Sequence, residues 1–118
     1  MRQIIFYRTD AGHAPIEEFL DSLTGKQAQK VVWVLHLIED LDIVPSQHFK
    51  KLIDTDELWE VRVQFGGNAL RLLGFFADKT VLILTNGFTK KTQKTPPQEI
   101  TLAEQRRRDY LKRRTHNE

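Results

Sequence analysis

The chain has 118 residues, of which 40% are hydrophobic and 29% charged, a length and composition typical of one folded domain. It is too short for separate cofactor and substrate domains, and it has no apolar run near the roughly 20 residues that span a bilayer. The absence of cysteine excludes disulfide scaffolds, thiolate nucleophiles and cysteine-based zinc sites. Its first residues become polar too early for a secretory signal, so we expect a cytoplasmic protein without a membrane segment.

The net charge of +2 hides an uneven distribution along the chain. Residues 1–87 carry 9 basic and 12 acidic side chains, a net charge of −3, whereas residues 88–118 carry 9 basic and 4 acidic side chains, a net charge of +5. A basic surplus of this kind indicates a polyanion or an acidic protein as partner. The alternative is a helix face that is merely solvated.

The first half of the chain predicts one strand followed by two helices. Residues 4–8 are expected to form the strand, and a short helix should begin at Pro15, a residue favoured in the first helical turn. Thr24 and Gln27 have the spacing of a capping box, so they predict the start of a second helix that ends before Pro45. Because the link between the helices is so short, we expect an antiparallel hairpin.

The second half predicts a meander of three strands and a final helix. From residue 58 to residue 65 apolar and polar residues alternate, which indicates a half-buried strand. Gly66-Gly67 and Asp78-Lys79 are predicted to be two-residue turns. The apolar run at residues 81–84 is expected in a central strand covered on both faces. A basic loop over residues 87–94 and a helix over residues 97–114 complete an α+β domain of order β-α-α-β-β-β-α.

The two predicted turns place cationic side chains on one face of the sheet. A tight turn at Gly66-Gly67 sets Arg62 opposite Arg71, and a tight turn at Asp78-Lys79 sets Arg71 opposite Asn86. Opposed like charges destabilise a strand pair, and a bound anion would offset that cost. The same geometry places four apolar residues at the other end of this face: Leu73, Phe75, Leu82 and Leu84.

These residues predict a phosphate-binding pocket. Arginine binds phosphate with a planar fork and keeps its charge at neutral pH, and aromatic rings stack on RNA bases. Phe88 is the predicted stacking residue, and His48 precedes Lys50-Lys51 at a position from which it could reach the pocket. No histidine, at positions 13, 36, 48 or 116, has the spacing of a metal ligand, so we expect neither metal nor cofactor.

Three segments give the chain a family resemblance. They are LWEVR at residues 58–62, LRLL at residues 70–73 and NGFTKKTQKTP at residues 86–96. Together these motifs resemble the RelE/HigB toxin superfamily, and most closely its phage-derived, Gp49-like HigB-type toxins. The resemblance implies a small twisted antiparallel sheet packed against helices. It also implies the toxin of a toxin–antitoxin pair, with a HigA-like helix-turn-helix antitoxin as partner.

The resemblance further implies a ribosome-dependent endoribonuclease that cuts mRNA in the ribosomal A site. Its catalytic arginines correspond to Arg62 and Arg71, and its terminal strand cations correspond to Lys90 and Lys91. A C-terminal tyrosine of some members corresponds loosely to Tyr110. Two alternatives stay open, a ParE-like toxin that binds DNA gyrase and a non-catalytic RNA- or protein-binding module. The residues expected to bind RNA are Lys50, Lys51, Phe88, Lys94, Arg106, Arg107 and Tyr110.

Overall fold

A computed structural model describes the backbone of residues 1–116 and the side chains of residues 1–115. The side chain of His116 and the charge of Glu118, both counted above, lie outside the described residues. The described part forms three helices and five strands. In chain order they are β1 (Gln3–Phe6), α1 (Pro15–Ser22), α2 (Gly25–Asp40), β2 (Phe49–Lys51), β3 (Leu58–Phe65), β4 (Asn68–Asp78), β5 (Val81–Lys90) and α3 (Pro97–His116).

The five strands form one mixed sheet in the order β1-β5-β4-β3-β2. The predicted element order was wrong because it omitted β2, whose three residues are too few to show a periodic pattern. The expectation of an antiparallel sheet was wrong for β1, which pairs in parallel with β5. Parallel strands need a long connection, and residues 7–80 supply it.

Helices α1 and α2 cover one face of the sheet. The predicted capping box is confirmed, because the Thr24 hydroxyl accepts from the Gln27 N–H at 3.2 Å while the Gln27 side chain accepts from the Thr24 N–H at 3.1 Å. Helix α1 contacts β5 and β1, whereas α2 contacts β3 and β1. The core on this face contains Ile16, Val31, Val34, Ile38, Val61, Leu72, Leu82 and Leu84.

The register between β3 and β4 is the one that the glycine turn predicts. Phe65 pairs with Asn68 and Arg62 pairs with Arg71. Gly66 has a φ of 59°, the left-handed conformation that glycine adopts without steric cost. A two-residue turn therefore fixes which side chains of β3 and β4 share a face.

The predicted register between β4 and β5 was wrong. Asp78 pairs with Val81, so the turn lies at residues 79–80, and the ladder shifts again between Leu73 and Gly74. Each irregularity adds one residue to one strand and moves the following side chains to the other face. As a result Leu82 and Leu84 lie under α1 and α2, and Ile83 takes the predicted place beside Leu73 and Phe75.

The two shifts together return the end of β5 to the expected face, displaced by two positions. Arg71 pairs with Phe88 rather than with Asn86, and Leu73 pairs with Asn86. The predicted loop over residues 87–94 was wrong at its start, because β5 continues to Lys90. Continuation of the strand holds Lys90 on the same sheet as the two arginines.

Helix α3 covers part of the opposite face of the sheet. Its buried Ala103 packs with Leu58, Leu73, Phe75 and Ile83. The Asn86 side-chain amide donates to the Glu99 carbonyl at 3.2 Å and to its carboxylate at 3.0 Å, which ties the first turn of α3 to β5. No helix of the described part is long and apolar enough to cross a bilayer.

Candidate functional site

A pocket of about 540 Å³ opens where α3 leaves the sheet face uncovered. It lies between the end of β5, the edge strand β2 and the segment that precedes α3. Its basic lining residues are Lys50, Lys51, Arg62, Lys90 and Lys94. We call it the cationic pocket. Its volume is within the range of small-ligand sites.

A buried carboxylate lies between the paired arginines. One oxygen of Glu60 is 3.6 Å from the Nε atom of Arg62 and 3.6 Å from the Nε atom of Arg71. The other oxygen accepts the Thr95 hydroxyl at 2.6 Å. Glu60 is 3% exposed and Arg71 is 8% exposed. Glu60 thus offsets the repulsion that the strand register creates.

The two arginines differ in their access to the pocket. Arg62 lines the pocket and is half-buried, whereas Arg71 contacts the lining residue Glu60 without lining the pocket itself. Burial lowers the pKa of the Arg71 guanidinium, Glu60 raises it and Arg62 lowers it again. A guanidinium nevertheless stays protonated at neutral pH. The pair therefore supplies one accessible cation and one buried cation.

The adjacent lysines at the end of β5 have different surroundings. Lys90 is half-buried and lines the pocket, whereas Lys91 is exposed and lies outside the lining. Burial lowers the pKa of the Lys90 ammonium, Glu60 raises it, and both Arg71 and Arg62 lower it further. Of the two predicted lysines, only Lys90 is brought next to the arginine pair.

The remaining predicted residues separate into two groups. Lys50, Lys51 and Lys94 line the pocket. Phe88 lies opposite Arg71 and packs against the core beneath α3. His48 does not line the pocket, since its ring lies edge-on to Trp33 of α2 with the centroids 6.0 Å apart.

The three residues predicted on α3 make contacts that hold the helix on the sheet. Arg106 donates to the Thr85 carbonyl at 2.8 Å. The Arg107 guanidinium lies 5.9 Å from the centroid of the Phe75 ring, and the Tyr110 ring lies 5.6 Å from the same ring. All three are half-buried, and none of them lines the pocket.

Sequence reasoning missed several pocket residues. The apolar part of the lining comes from Leu52, Ile53 and Ile100, and the segment before α3 adds Gln93 and Thr95. Glu60, which the sequence analysis does not assign to the pocket, also lines it. Its position two residues before Arg62 on β3 puts both side chains on the same face, and this spacing could have indicated its place in the pocket. The loop residues carry no periodicity that could have revealed their position.

The comparisons with known proteins identify the class of protein that this fold and pocket define. The sequence profile of the phage-derived Gp49-like proteins (DUF891) matches residues 18–108, a span that includes both arginines and Lys90. The chain therefore belongs to this family, which is a family of RelE-like toxins. The family associates it with toxin–antitoxin systems and implies an antitoxin partner. The search of curated proteins finds no match.

Proposed function

We propose that this protein is the toxin of a type II toxin–antitoxin pair and that it cleaves ribosome-bound mRNA in a metal-independent reaction in the cytoplasm. The observation that carries the proposal is the pairing of Arg62 with Arg71 beside Lys90, at the uncovered end of the sheet. The family is associated with toxin ribonucleases, which supports the same reaction class. Its antitoxin is proposed to be a HigA-like helix-turn-helix protein that blocks this pocket or its approach.

The proposed reaction uses the RNA as its own nucleophile. The 2′-hydroxyl oxygen attacks the adjacent phosphorus, the bond from phosphorus to the 5′-oxygen breaks, and a 2′,3′-cyclic phosphate and a 5′-hydroxyl result. The 2′-hydroxyl gives its proton to water, and a protonated side chain of the pocket delivers one proton to the departing 5′-oxygen. Charge that builds on the phosphoryl oxygens is stabilised by Arg62, the accessible member of the arginine pair, while the buried Arg71 adds positive potential from behind it.

The lysines of the pocket are proposed to donate the proton and to bind the RNA backbone. Lys90, whose pKa is lowered, is the proposed donor of the proton to the 5′-oxygen. Lys50, Lys51 and Lys94 would contact neighbouring phosphates of the mRNA through salt-sensitive ion pairs. The apolar side chains of Ile53 and Ile100 line the pocket and would contact a nucleobase of the RNA.

RNA-end mapping after induction of the toxin tests this proposal. We expect new mRNA ends in cells that express the wild-type chain, and we expect Arg71→Gln to abolish both the ends and the growth arrest. Lys79→Ala, which changes an exposed lysine in the distant β4–β5 turn, is the matched control and should remain toxic. Intact transcripts with accumulating DNA breaks would instead favour gyrase binding. Intact transcripts without DNA breaks would favour a non-catalytic module.

A further inference from the structure

Glu60 is an unexpected residue in a pocket for a polyanion. It is 3% exposed, it lines the cationic pocket, and its negative charge opposes an incoming phosphate. Removing a carboxylate from this place would raise the positive potential of the pocket. Its presence therefore needs a reason other than affinity for the anion.

The contacts of Glu60 supply that reason. One of its carboxylate oxygens lies 3.6 Å from the Nε atom of each guanidinium group, which is an ion-pair distance rather than a hydrogen bond, and both Nε atoms are buried without a hydrogen-bond partner among the described residues. Each guanidinium has two further terminal nitrogens. Arg71 uses Nη1 on the Leu70 carbonyl at 3.0 Å, whereas no described hydrogen bond occupies the terminal nitrogens of Arg62, a residue that lines the pocket. The ion pair with Glu60 thus engages the Nε atom of Arg62, and its terminal nitrogens stay available to a phosphate in the pocket.

The second oxygen of Glu60 is held by the segment that leads into α3. Thr95 donates its hydroxyl to that oxygen at 2.6 Å, and the neighbouring Lys94 lines the pocket. The hydrogen bond to one oxygen and the two ion pairs to the other restrict the orientation of the carboxylate. The Thr95 bond therefore joins the sheet arginines to the segment that carries Lys94.

We propose that Glu60 is a positioning residue, held by Arg71 and Thr95, that orients Arg62 toward the scissile phosphate of RNA. This inference rests on the proposed ribonuclease function. It assigns Arg71 a supporting part, since Arg71 compensates the charge of Glu60 from the buried side. It also gives the Thr95 hydroxyl the role of holding the second oxygen of Glu60.

The variant Glu60→Gln separates positioning from affinity because it keeps the shape and removes the charge. We expect it to bind a non-cleavable 2′-O-methyl oligonucleotide about three- to tenfold more tightly, since one repulsive charge is lost. We expect its single-turnover cleavage of mRNA on programmed ribosomes to fall at least about tenfold, because Arg62 loses its orientation. A merely structural role would weaken binding and cleavage together.

Thr95 provides the matched pair of variants. Thr95→Val removes the hydroxyl and keeps the volume, so cleavage should fall several-fold, whereas Thr95→Ser keeps the hydroxyl and should restore it. If Glu60→Gln does not fold, this pair carries the test. Equal cleavage by Thr95→Val and the wild-type chain would overturn the proposal, as would undiminished cleavage by Glu60→Gln.

An NMR measurement distinguishes failure of this inference from failure of the proposed function. The Nε–H signals of Arg62 and Arg71 report their contact with Glu60 whether or not the protein cleaves RNA. Displacement of both signals in Glu60→Gln and Thr95→Val supports the positioning contacts even if the wild-type chain proves inactive. Unchanged signals contradict them even if the wild-type chain cleaves mRNA.

Discussion

Residues that are adjacent in the sequence can have very different surroundings at the end of a strand. Lys90 and Lys91 are adjacent in the sequence, yet only Lys90 lies on the face of the arginine pair. The pairing of Arg62 with Arg71 was predictable because two glycines set a tight turn. The burial of Glu60 between them was not, because it depends on Thr95, a contact 35 residues away along the chain.

Single substitutions of the two lysines test this separation. Lys90→Ala should reduce cleavage of mRNA on programmed ribosomes by at least roughly tenfold, as expected for loss of a proton donor. Lys91→Ala, the matched control, should change it by less than about threefold, because an exposed cation contributes only weak, screened attraction. The measurement is the single-turnover rate. Equal losses in the two variants would show that both lysines act only through general charge.

The pH dependence of cleavage follows from the lowered pKa of Lys90. A proton donor must be protonated, so the rate should fall as the pH rises through the Lys90 pKa, which burial and the two arginines hold below the ordinary lysine range. Lys90→Arg should lower the rate, because a guanidinium keeps its proton and donates it poorly, and the residual cleavage should lack this alkaline decline. The measurement is the pH profile of single-turnover cleavage. A decline that persists unchanged in Lys90→Arg would assign it to another group.

At the scale of elements, the long regular segments were predictable and the irregular ones were not. The capping box set the start of α2, and strict alternation identified β3. Strand β2 was not predicted because Phe49–Lys51 has one apolar residue, Phe49, which is buried where it pairs with Val61. The register of β5 was not predictable because its two irregularities leave no periodic signal in the sequence. At the irregularity between Leu73 and Gly74, the Thr85 hydroxyl donates to the Leu73 carbonyl at 3.1 Å.

Gly87 of the resemblance motif is required by the packing of α1 against β5. A Cβ atom placed at Gly87 would lie 2.4 Å from the Phe19 ring of α1. Gly87→Ala should therefore lower the free energy of unfolding by about 1–3 kcal/mol, the usual cost of overpacking. Gly67→Ala is the control, because its Cβ atom meets no atom within 4 Å. Thermal unfolding measures both, and an equal midpoint for the two variants would contradict this packing.

At the scale of the whole molecule, the sheet separates a face that two helices cover from a face that is partly open and carries the cationic pocket. Helices α1 and α2 cover the first face, while α3 covers the apolar part of the second and leaves the cationic pocket open. The basic residues of segment 88–118 therefore have two different roles in the structure. Lys90 and Lys94 line the pocket, whereas Arg106 and Arg107 hold α3 in place.

A polar cluster fastens α3 to the first strand region. Tyr7 donates its hydroxyl to the Asp109 carboxylate at 2.5 Å, and Arg113 lies 2.7 Å from the same carboxylate. The Tyr7 hydrogen bond lowers the pKa of Asp109, burial opposes this, and Arg113 lowers it further. A carboxylate whose folded-state pKa is lowered stabilises the protein above its unfolded-state pKa and loses this contribution as the pH falls through the folded-state value.

Asp109→Asn should therefore destabilise the protein at neutral pH and not under strongly acidic conditions. Because the Asp109 side chain is 37% exposed, we expect a loss of about 1 kcal/mol at neutral pH, and a smaller difference below about pH 4. Asp56→Asn, at an exposed position between β2 and β3, is the control. The measurement is chemical unfolding at both pH values. A loss that is independent of pH would show that the charge of Asp109 is not what fastens α3.

The chemistry of the RNA ends shows whether the 2′-hydroxyl or water attacks the phosphate. Purified wild-type protein would be mixed with ribosomes that hold a defined mRNA, and the ends of each fragment would be identified by enzymatic labelling and mass measurement. We expect a 2′,3′-cyclic phosphate on the upstream fragment and a 5′-hydroxyl on the downstream fragment, with neither formed by Arg71→Gln. Uncut mRNA under these conditions, or fragments that carry 5′-phosphates, would contradict this expectation.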